Sequence, residues 1–152
     1  MPAILIPRLM PKPDPALLDP QRYPFHCAIE PRFTDLDLNR HINNAALADI
    51  LQEARVRFHH ASRFGPSLAG MSSMAVSLSI DFLGQAHHPD PLDHHVAAIA
   101  IGRTSHTLAQ LVTQNGRAVA YARTVLVCVR DDEPAENPPS FLEAVKDWML
   151  RP

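Results

Sequence analysis

A short polar segment, residues 35–44, holds the densest group of side chains that could do chemistry, and its sequence is DLDLNRHINN. Asp37 is the predicted general base or nucleophile, because a carboxylate can activate a water molecule or attack a carbonyl carbon. His41 can orient water or protonate a leaving group, since imidazole changes its charge near neutral pH. Asn39 can hold water or a carbonyl oxygen. These residue types in one segment indicate proton-transfer chemistry at a carbonyl group.

The segment leads directly into a stretch with helical spacing. Apolar residues recur at steps of three and four from Leu47 to Phe58, and no proline or glycine interrupts them. Asn43 or Asn44 is the predicted cap, because an asparagine side chain can accept a hydrogen bond from the free amides of the first turn. The amides around Asn43, Asn44 and Ala45 carry partial positive charge and can polarise a carbonyl oxygen, so these residues are predicted to bind substrate. Capping alone is the alternative role for the two asparagines.

Strand-like segments surround the predicted helix. A first strand is expected over residues 25–33, and from residue 73 the apolar period changes to two, with Val76, Leu78 and Ile80 on one face. Two further strands follow, and Asn115–Gly116 predicts a hairpin turn before a long last strand. This order predicts an α+β fold in which an antiparallel sheet of about five strands wraps around one long central helix.

The composition is typical of one globular domain. The chain has 152 residues, 46% of them hydrophobic, and a formal net charge of −2. Bulk charge therefore favours neither nucleic acid nor an anionic membrane surface as a partner. Two cysteines in apolar surroundings, Cys27 and Cys128, and the lack of a long apolar run predict a cytoplasmic protein with reduced thiols.

Two proline clusters divide the chain. Seven prolines within residues 1–24 predict an extended arm that wraps over the domain or a partner subunit through apolar residues. The domain itself is expected over residues 25–132. Residues 133–152 are interpreted as a connector and a last short helix over residues 140–150, with Ser140 as its N-cap.

Residues 35–44 resemble the signature of hotdog-fold thioesterases. The segment is similar to the D-x-D…H-x-N-N pattern of the 4-hydroxybenzoyl-CoA thioesterase-like group, and closer still to the D-L-D-x-N-x-H-x-N-N pattern of plant acyl-ACP thioesterases. The following Glu53 and its neighbours match the family's helix, and the later strands match in pattern, so the resemblance covers about residues 25–130. The chain departs from the family at Arg40, where the bacterial group often has glycine, and at Leu47, where an aromatic residue is frequent.

The resemblance implies a hotdog fold and hydrolysis of an acyl-CoA or acyl-ACP thioester, with Asp37 tied to catalysis and Asn39 and His41 supporting it. It implies no metal and no organic cofactor, because coenzyme A enters only as part of the substrate. It also implies a homodimer or homotetramer with paired sheets and active sites between subunits. There Arg103 could meet the nucleotide phosphates of coenzyme A, and Thr104, Ser105 and His106 are candidates to face Asp37 of another chain.

Other interpretations of these residues stay open at this stage. Asp35 is expected to make turn hydrogen bonds only, and Asp37 could do the same. Glu53 is a secondary candidate for the base, and the simpler interpretation is a charge on the helix surface. The adjacent histidine pairs predict no metal site, because neighbours on a strand point to opposite faces. A hotdog-fold hydratase or dehydratase of acyl thioesters and a non-catalytic acyl-CoA-binding protein are the alternative functions.

Overall fold

A computed structural model of the chain describes residues 12–152. Its centre is an antiparallel sheet that curls around one long helix, with the strands in the order β1-β3-β4-β5-β2 and a short β6 paired to β5. The bounds of the strands are Phe25–Ile29 (β1), Ser72–Phe82 (β2), Leu92–Ile101 (β3), Ser105–Gln114 (β4), Arg117–Arg130 (β5) and Glu133–Pro134 (β6). The α+β hotdog architecture predicted from the sequence is therefore confirmed.

The long helix, α1, spans Asn44–Ser62. Its apolar stripe is buried, as the spacing predicts, and the residues that form it are Leu47, Ile50, Leu51, Ala54 and Phe58. The first four pack against small and branched residues of the sheet, among them Val112 on β4 and Ala122 on β5, whereas Phe58 packs in a second cluster with Leu108. Small residues on the inner face of the sheet let the helix approach closely, and burial of this apolar face stabilises the fold.

The strands are less regular than their sequence pattern. The first strand ends at Ile29, before Pro31, because proline withholds the amide that a ladder needs. The register between β2 and β5 shifts between Ala75 and Ser77, which places a bulge at Val76 and interrupts the predicted alternation there. Asn115 and Gly116 form the predicted turn between β4 and β5, and both have positive φ, 51° and 78°.

The C-terminal segment differs from the prediction. A short helix near the C-terminus spans Pro139–Ala144 and continues as a 3-10 turn over Val145–Trp148. It is called α3, because a four-residue helix directly after α1, Phe64–Ser67, is α2. Pro138 occupies the cap position of α3, and the Ser140 hydroxyl instead donates to the carbonyl of Ser67. The prediction of Ser140 as N-cap is wrong, because Pro139 already has the backbone geometry of a first helical position.

The described part of the N-terminal arm, residues 12–24, packs on the outer face of the sheet. Leu17 and Leu18 contact a cluster built around the buried Tyr23 and Tyr121, and the Tyr23 hydroxyl donates to the carbonyl of Leu17. The arm also pairs with the other end of the chain, since the amide of Arg151 donates to the carbonyl of Arg22. The predicted contacts of the arm before residue 12 lie outside the described residues.

Strand β2 forms an edge of the sheet, and α1 leaves it largely uncovered. Its exposed apolar side chains include Met74, Val76, Leu78 and Phe82. Such an edge is a ready template for pairing with another strand. Within residues 12–152, no helix has the length and apolar character needed to cross a membrane.

Candidate active site

The loop before α1 is held in shape by the Asp37 side chain. Its Oδ1 accepts hydrogen bonds from the backbone amides of Asn39, at 2.8 Å, and His41, at 3.1 Å. A backbone hydrogen bond also closes the loop, because the amide of Asp37 donates to the carbonyl of His41. Oδ2 accepts no hydrogen bond from the residues that the structure describes. One oxygen thus fixes the carboxylate while the other stays available.

The N-terminus of α1 is capped by Asn43 and not by Asn44. The Asn43 side chain accepts a hydrogen bond from the amide of Ala45, at 2.8 Å. Ala45 was one of the residues predicted to polarise a carbonyl, and the cap occupies its amide. The amide of Asn44 has no acceptor among residues 12–152, and Asn44 lines the neighbouring cavity. Asn44 is therefore the donor that the helix offers to a ligand.

Asp37 and the start of α1 share a cavity of about 380 Å³, called the inner cavity below. Its polar wall contains Asp37, His41 and Asn44, and its remaining wall comes from α1 and from the segment that follows β2: Leu47, Phe82, Leu83, Gly84, Gln85 and Ala86, with Ile42 from the loop. Three polar residues, Asp37, His41 and Asn44, border a space whose other walls are mainly apolar. This arrangement can hold an apolar group with a carbonyl beside the carboxylate.

His87 contacts the site through His41, although it does not line the inner cavity and no local pattern in the sequence points to it. Its imidazole lies edge-on to that of His41, with 5.2 Å between ring centroids. The segment after β2 returns to the loop because the amide of Ile42 donates to the carbonyl of Ala86. The buried Gln114 at the end of β4 then fixes the segment, since it accepts from the amide of His87 and donates to the carbonyls of His87 and Asp90. Only the meeting of these distant segments reveals the contact between His87 and His41.

Asp35 has a structural role, as the sequence suggested. Its carboxylate is buried and receives hydrogen bonds from the backbone and the guanidinium of Arg32. Burial alone would raise the pKa of this carboxyl, but the hydrogen bonds from Arg32 outweigh burial and the pKa lies below its usual value. Its carbonyl also accepts from the amide of Asn43 and so joins the loop to the helix start.

Three of the other predicted residues lie away from the inner cavity of the same protomer. Glu53 is exposed, pairs with Arg57 four residues on, and borders a different surface depression. Arg103 is exposed and pairs with Glu136. Ser105 begins β4, whose ten residues extend roughly 30 Å before reaching the end that carries Gln114. Their predicted contribution to the site of a second copy stays a prediction.

Asn39 lies at the tip of the loop. Its amide holds Asp37, but its exposed side chain does not line the inner cavity. Asn39 therefore acts in this structure through its backbone, and the chemical role predicted for its amide group has no counterpart in the cavity wall.

Two buried histidines lie outside the site. His94 on β3 and His106 on β4 are almost fully buried, and none of their ring nitrogens has a hydrogen-bond partner among residues 12–152. Burial lowers the pKa of each imidazole to about 4, so both are neutral at physiological pH. Across the described part of the chain, no cluster of three or more histidine, cysteine, aspartate or glutamate side chains could hold a metal ion.

Solved structures with this fold are numerous. A thioesterase complexed with coenzyme A and Zn from Thermus thermophilus is 28% identical, with a TM-score of 0.77 over 87% of this chain and 98% of that one. A predicted thioesterase from Bacillus stearothermophilus is 23% identical, with a TM-score of 0.75 over 84% and 98% of the two chains. A 1,4-dihydroxy-2-naphthoyl-CoA thioesterase from Synechocystis shares the fold at 18% identity, with a TM-score of 0.70 over 81% and 96%.

Curated proteins, by contrast, include no match to this sequence. The family model of the thioesterase-like superfamily matches residues 31–148. That range contains the Asp37 loop, α1 and strands β2 to β6, and it includes every residue that lines the inner cavity. The match covers well over half of the sequence, and the chain belongs to the thioesterase-like superfamily.

Proposed function

We propose that this protein hydrolyses an acyl-CoA thioester to a free carboxylic acid and a thiol, with Asp37 as general base or nucleophile. The observation that carries the proposal is the geometry of Asp37. One of its oxygens is fixed by two backbone amides, and the carboxylate borders an apolar cavity together with His41 and the free amide of Asn44. The fold family supports thioester hydrolysis as the general reaction.

As a general base, Asp37 removes a proton from a water molecule, and the resulting hydroxide adds to the thioester carbonyl carbon. The carbonyl oxygen becomes an oxyanion, which the amide of Asn44 stabilises at the positive end of α1. When the oxyanion collapses, the carbon–sulfur bond breaks. The thiolate takes a proton from His41 or from the protonated Asp37. As a nucleophile, Asp37 would instead form an anhydride that water then cleaves.

The inner cavity suits the acyl group. Leu47, Phe82 and Leu83 give it apolar walls, and its volume of about 380 Å³ is within the range of small-molecule sites. Coenzyme A as the thiol carrier is supported by the thermophilic relative, whose structure contains coenzyme A.

We also propose a homodimer formed through β2. The free edge of β2 and its exposed apolar side chains fit pairing with the same strand of a second copy, which would extend the sheet across both subunits. Phe82 at the end of β2 also lines the inner cavity, so such pairing would bring the second copy close to the site. Arg103 and Ser105 of that copy are the predicted contributors.

The test is thiol release from a panel of acyl-CoAs by the wild-type protein and by Asp37→Asn. The asparagine keeps an Oδ1 acceptor for the two loop amides but cannot take a proton. Turnover is expected to fall about a hundredfold, in the usual range for loss of a general base. Asp49→Asn, the same change at an exposed position of α1 outside the inner cavity, is the matched control and should stay within twofold.

Full activity of Asp37→Asn would refute the role of Asp37. Hydration of an enoyl-CoA without thiol release would identify a hydratase instead, and acyl-CoA binding without turnover by the wild type would identify a binding protein. In a single turnover in solvent labelled with oxygen-18, label found in the Asp37 carboxylate would identify the anhydride route with water adding to the aspartyl carbonyl, because the general-base route places the label only in the acid product.

A further inference from the structure

A second cavity also borders Asp37. It has a volume of about 520 Å³, is called the outer cavity here, and is lined by Phe33, Leu36, Asp37, Leu38, Arg40 and His88. Asp37 is the one residue that lines both this cavity and the inner cavity. A molecule whose reacting bond lies at Asp37 can therefore place one part in each cavity.

The two spaces differ in charge. Arg40 lines the outer cavity and forms no ion pair among residues 12–152, whereas the neighbouring acid Asp35 is already neutralised by Arg32. His88 also lines the cavity, and its ring centroid lies 6.1 Å from that of Phe33 in an edge-on arrangement. The outer cavity thus offers an unpaired guanidinium and an imidazole, while the inner cavity has no arginine or lysine in its wall.

The exposed apolar residues of the outer cavity add a second feature. Leu38 is fully exposed and Phe33 is 76% exposed, although both are large apolar side chains. Exposed apolar groups beside an unpaired cation match a ligand that is apolar in one part and anionic in another. Arg40 also holds a left-handed backbone conformation, with φ at 61°, which glycine would adopt with less strain.

We propose that the outer cavity binds the phosphate-bearing arm of coenzyme A, with Arg40 and His88 contacting its phosphates. This inference rests on the proposed function, since it places the thioester at Asp37 and the acyl group in the inner cavity. Guanidinium groups bind phosphate oxygens through paired hydrogen bonds, and imidazole can donate a further one. The cavity has the volume of a small-molecule site, and one guanidinium with one imidazole suits a compact diphosphate better than the broad acidic surface of a carrier protein.

The experiment measures binding of coenzyme A and of pantetheine, which lacks phosphate, by calorimetry. Arg40→Gly removes the cation and relieves the left-handed backbone. Its Kd for coenzyme A is expected to rise about tenfold or more, as for loss of a charged hydrogen bond, while its Kd for pantetheine stays unchanged. Arg40→Lys should recover part of the affinity, because it restores the charge without the guanidinium geometry.

Arg63→Gly is the matched control. Arg63 is also exposed and left-handed, with φ at 57°, but it caps the opposite end of α1 and lines neither cavity. It should bind coenzyme A with wild-type affinity. Wild-type affinity in Arg40→Gly, or equal losses for coenzyme A and pantetheine, would overturn the assignment. The assignment would also be overturned if only Arg103→Gln lost affinity for coenzyme A. It would be overturned as well if Arg40→Gly weakened binding of an acyl carrier protein but not of coenzyme A.

Hydrolysis assays keep this inference separate from the proposed function. If the wild type cleaves acyl-pantetheine and Arg40→Gly binds coenzyme A normally, the hydrolase stands and the outer site fails. If the wild type cleaves no thioester but Arg40→Gly still weakens coenzyme A binding alone, the outer site stands and the hydrolase fails.

Discussion

The two ends of α1 are built for opposite purposes. At its N-terminus Asn43 caps the helix, the next residue, Asn44, lines the inner cavity, and the preceding loop borders both open cavities through Asp37. At its C-terminus Phe58 lies within a network of edge-on aromatic contacts to Phe64 and Trp148, and Phe64 continues it to Phe141. The contrast teaches that one element can leave backbone donors open to a ligand because its other end is anchored in a closed core.

The largest expected effect on stability is at the closed end. Phe141 is fully buried and lies against Phe64 and His106, with ring centroids 5.0 and 4.9 Å away. Phe141→Ala is expected to lower the free energy of unfolding by about 3–5 kcal/mol, because it leaves a cavity in a packed core. Urea titration measures this loss, and turnover per folded molecule should not change.

Leu142→Ala is the neighbouring control, since Leu142 is exposed and its loss should cost little. If Phe141→Ala were equally mild, the C-terminal segment would be a peripheral extension, and α1 would have no anchor there.

The next effect depends on pH and again belongs to the closed end. The pKa of His106 is about 4 because burial disfavours the charged ring, whereas in the unfolded chain it is near its usual 6.5. The unfolded state therefore binds more protons between these values, so stability is lost as pH falls from 6.5 towards 4, at roughly 1 kcal/mol per pH unit. Burial also lowers the pKa of His94 to about 4, so His94 adds a similar loss of stability over the same pH range. The pKa of the half-buried His59, near His106, is lowered as well.

His106→Leu is expected to flatten this dependence without destabilising the protein at about pH 7.5, because an unpartnered polar ring is replaced by an apolar side chain. The pH dependence of stability is measured from urea midpoints at about pH 7.5, 6 and 5, the range in which the unfolded imidazole titrates. His60→Leu, at an exposed position, is the control. A variant with the wild-type pH slope would show that the His106 ring is not the group that resists protonation.

The comparison also separates what the sequence can predict from what it cannot. Local chemistry was sufficient for α1, for its asparagine cap and for the Asn115–Gly116 turn, since each follows from the spacing or geometry of adjacent residues. His87 was missed because it reaches His41 only through contacts that Ala86 and Gln114 make across the fold. Such contacts depend on where distant segments meet, and a single sequence carries no pattern for that.

Other errors have a different origin, because two groups near one another in the fold compete for the same position. Ala45 was a reasonable oxyanion donor until the Asn43 side chain took its amide. Ser140 had the right residue type for a cap, but Pro139 started the helix and the hydroxyl found the carbonyl of Ser67. In each case two groups suited one position, and only the folded geometry decided between them.

The smallest effect tests the open end directly, at Asn43. Asn43→Ala removes the acceptor of the Ala45 amide and is expected to lower the free energy of unfolding by about 1 kcal/mol. Asn43→Asp keeps an acceptor, so stability should be retained, but it adds a negative charge beside the amide of Asn44, where the oxyanion is proposed to form. Turnover in Asn43→Asp should therefore fall severalfold, and the loss should shrink at high salt because the charge is exposed and screened. If Asn43→Asp lost stability and kept full turnover, this end of the helix would be a cap alone, and the oxyanion would have to be stabilised elsewhere.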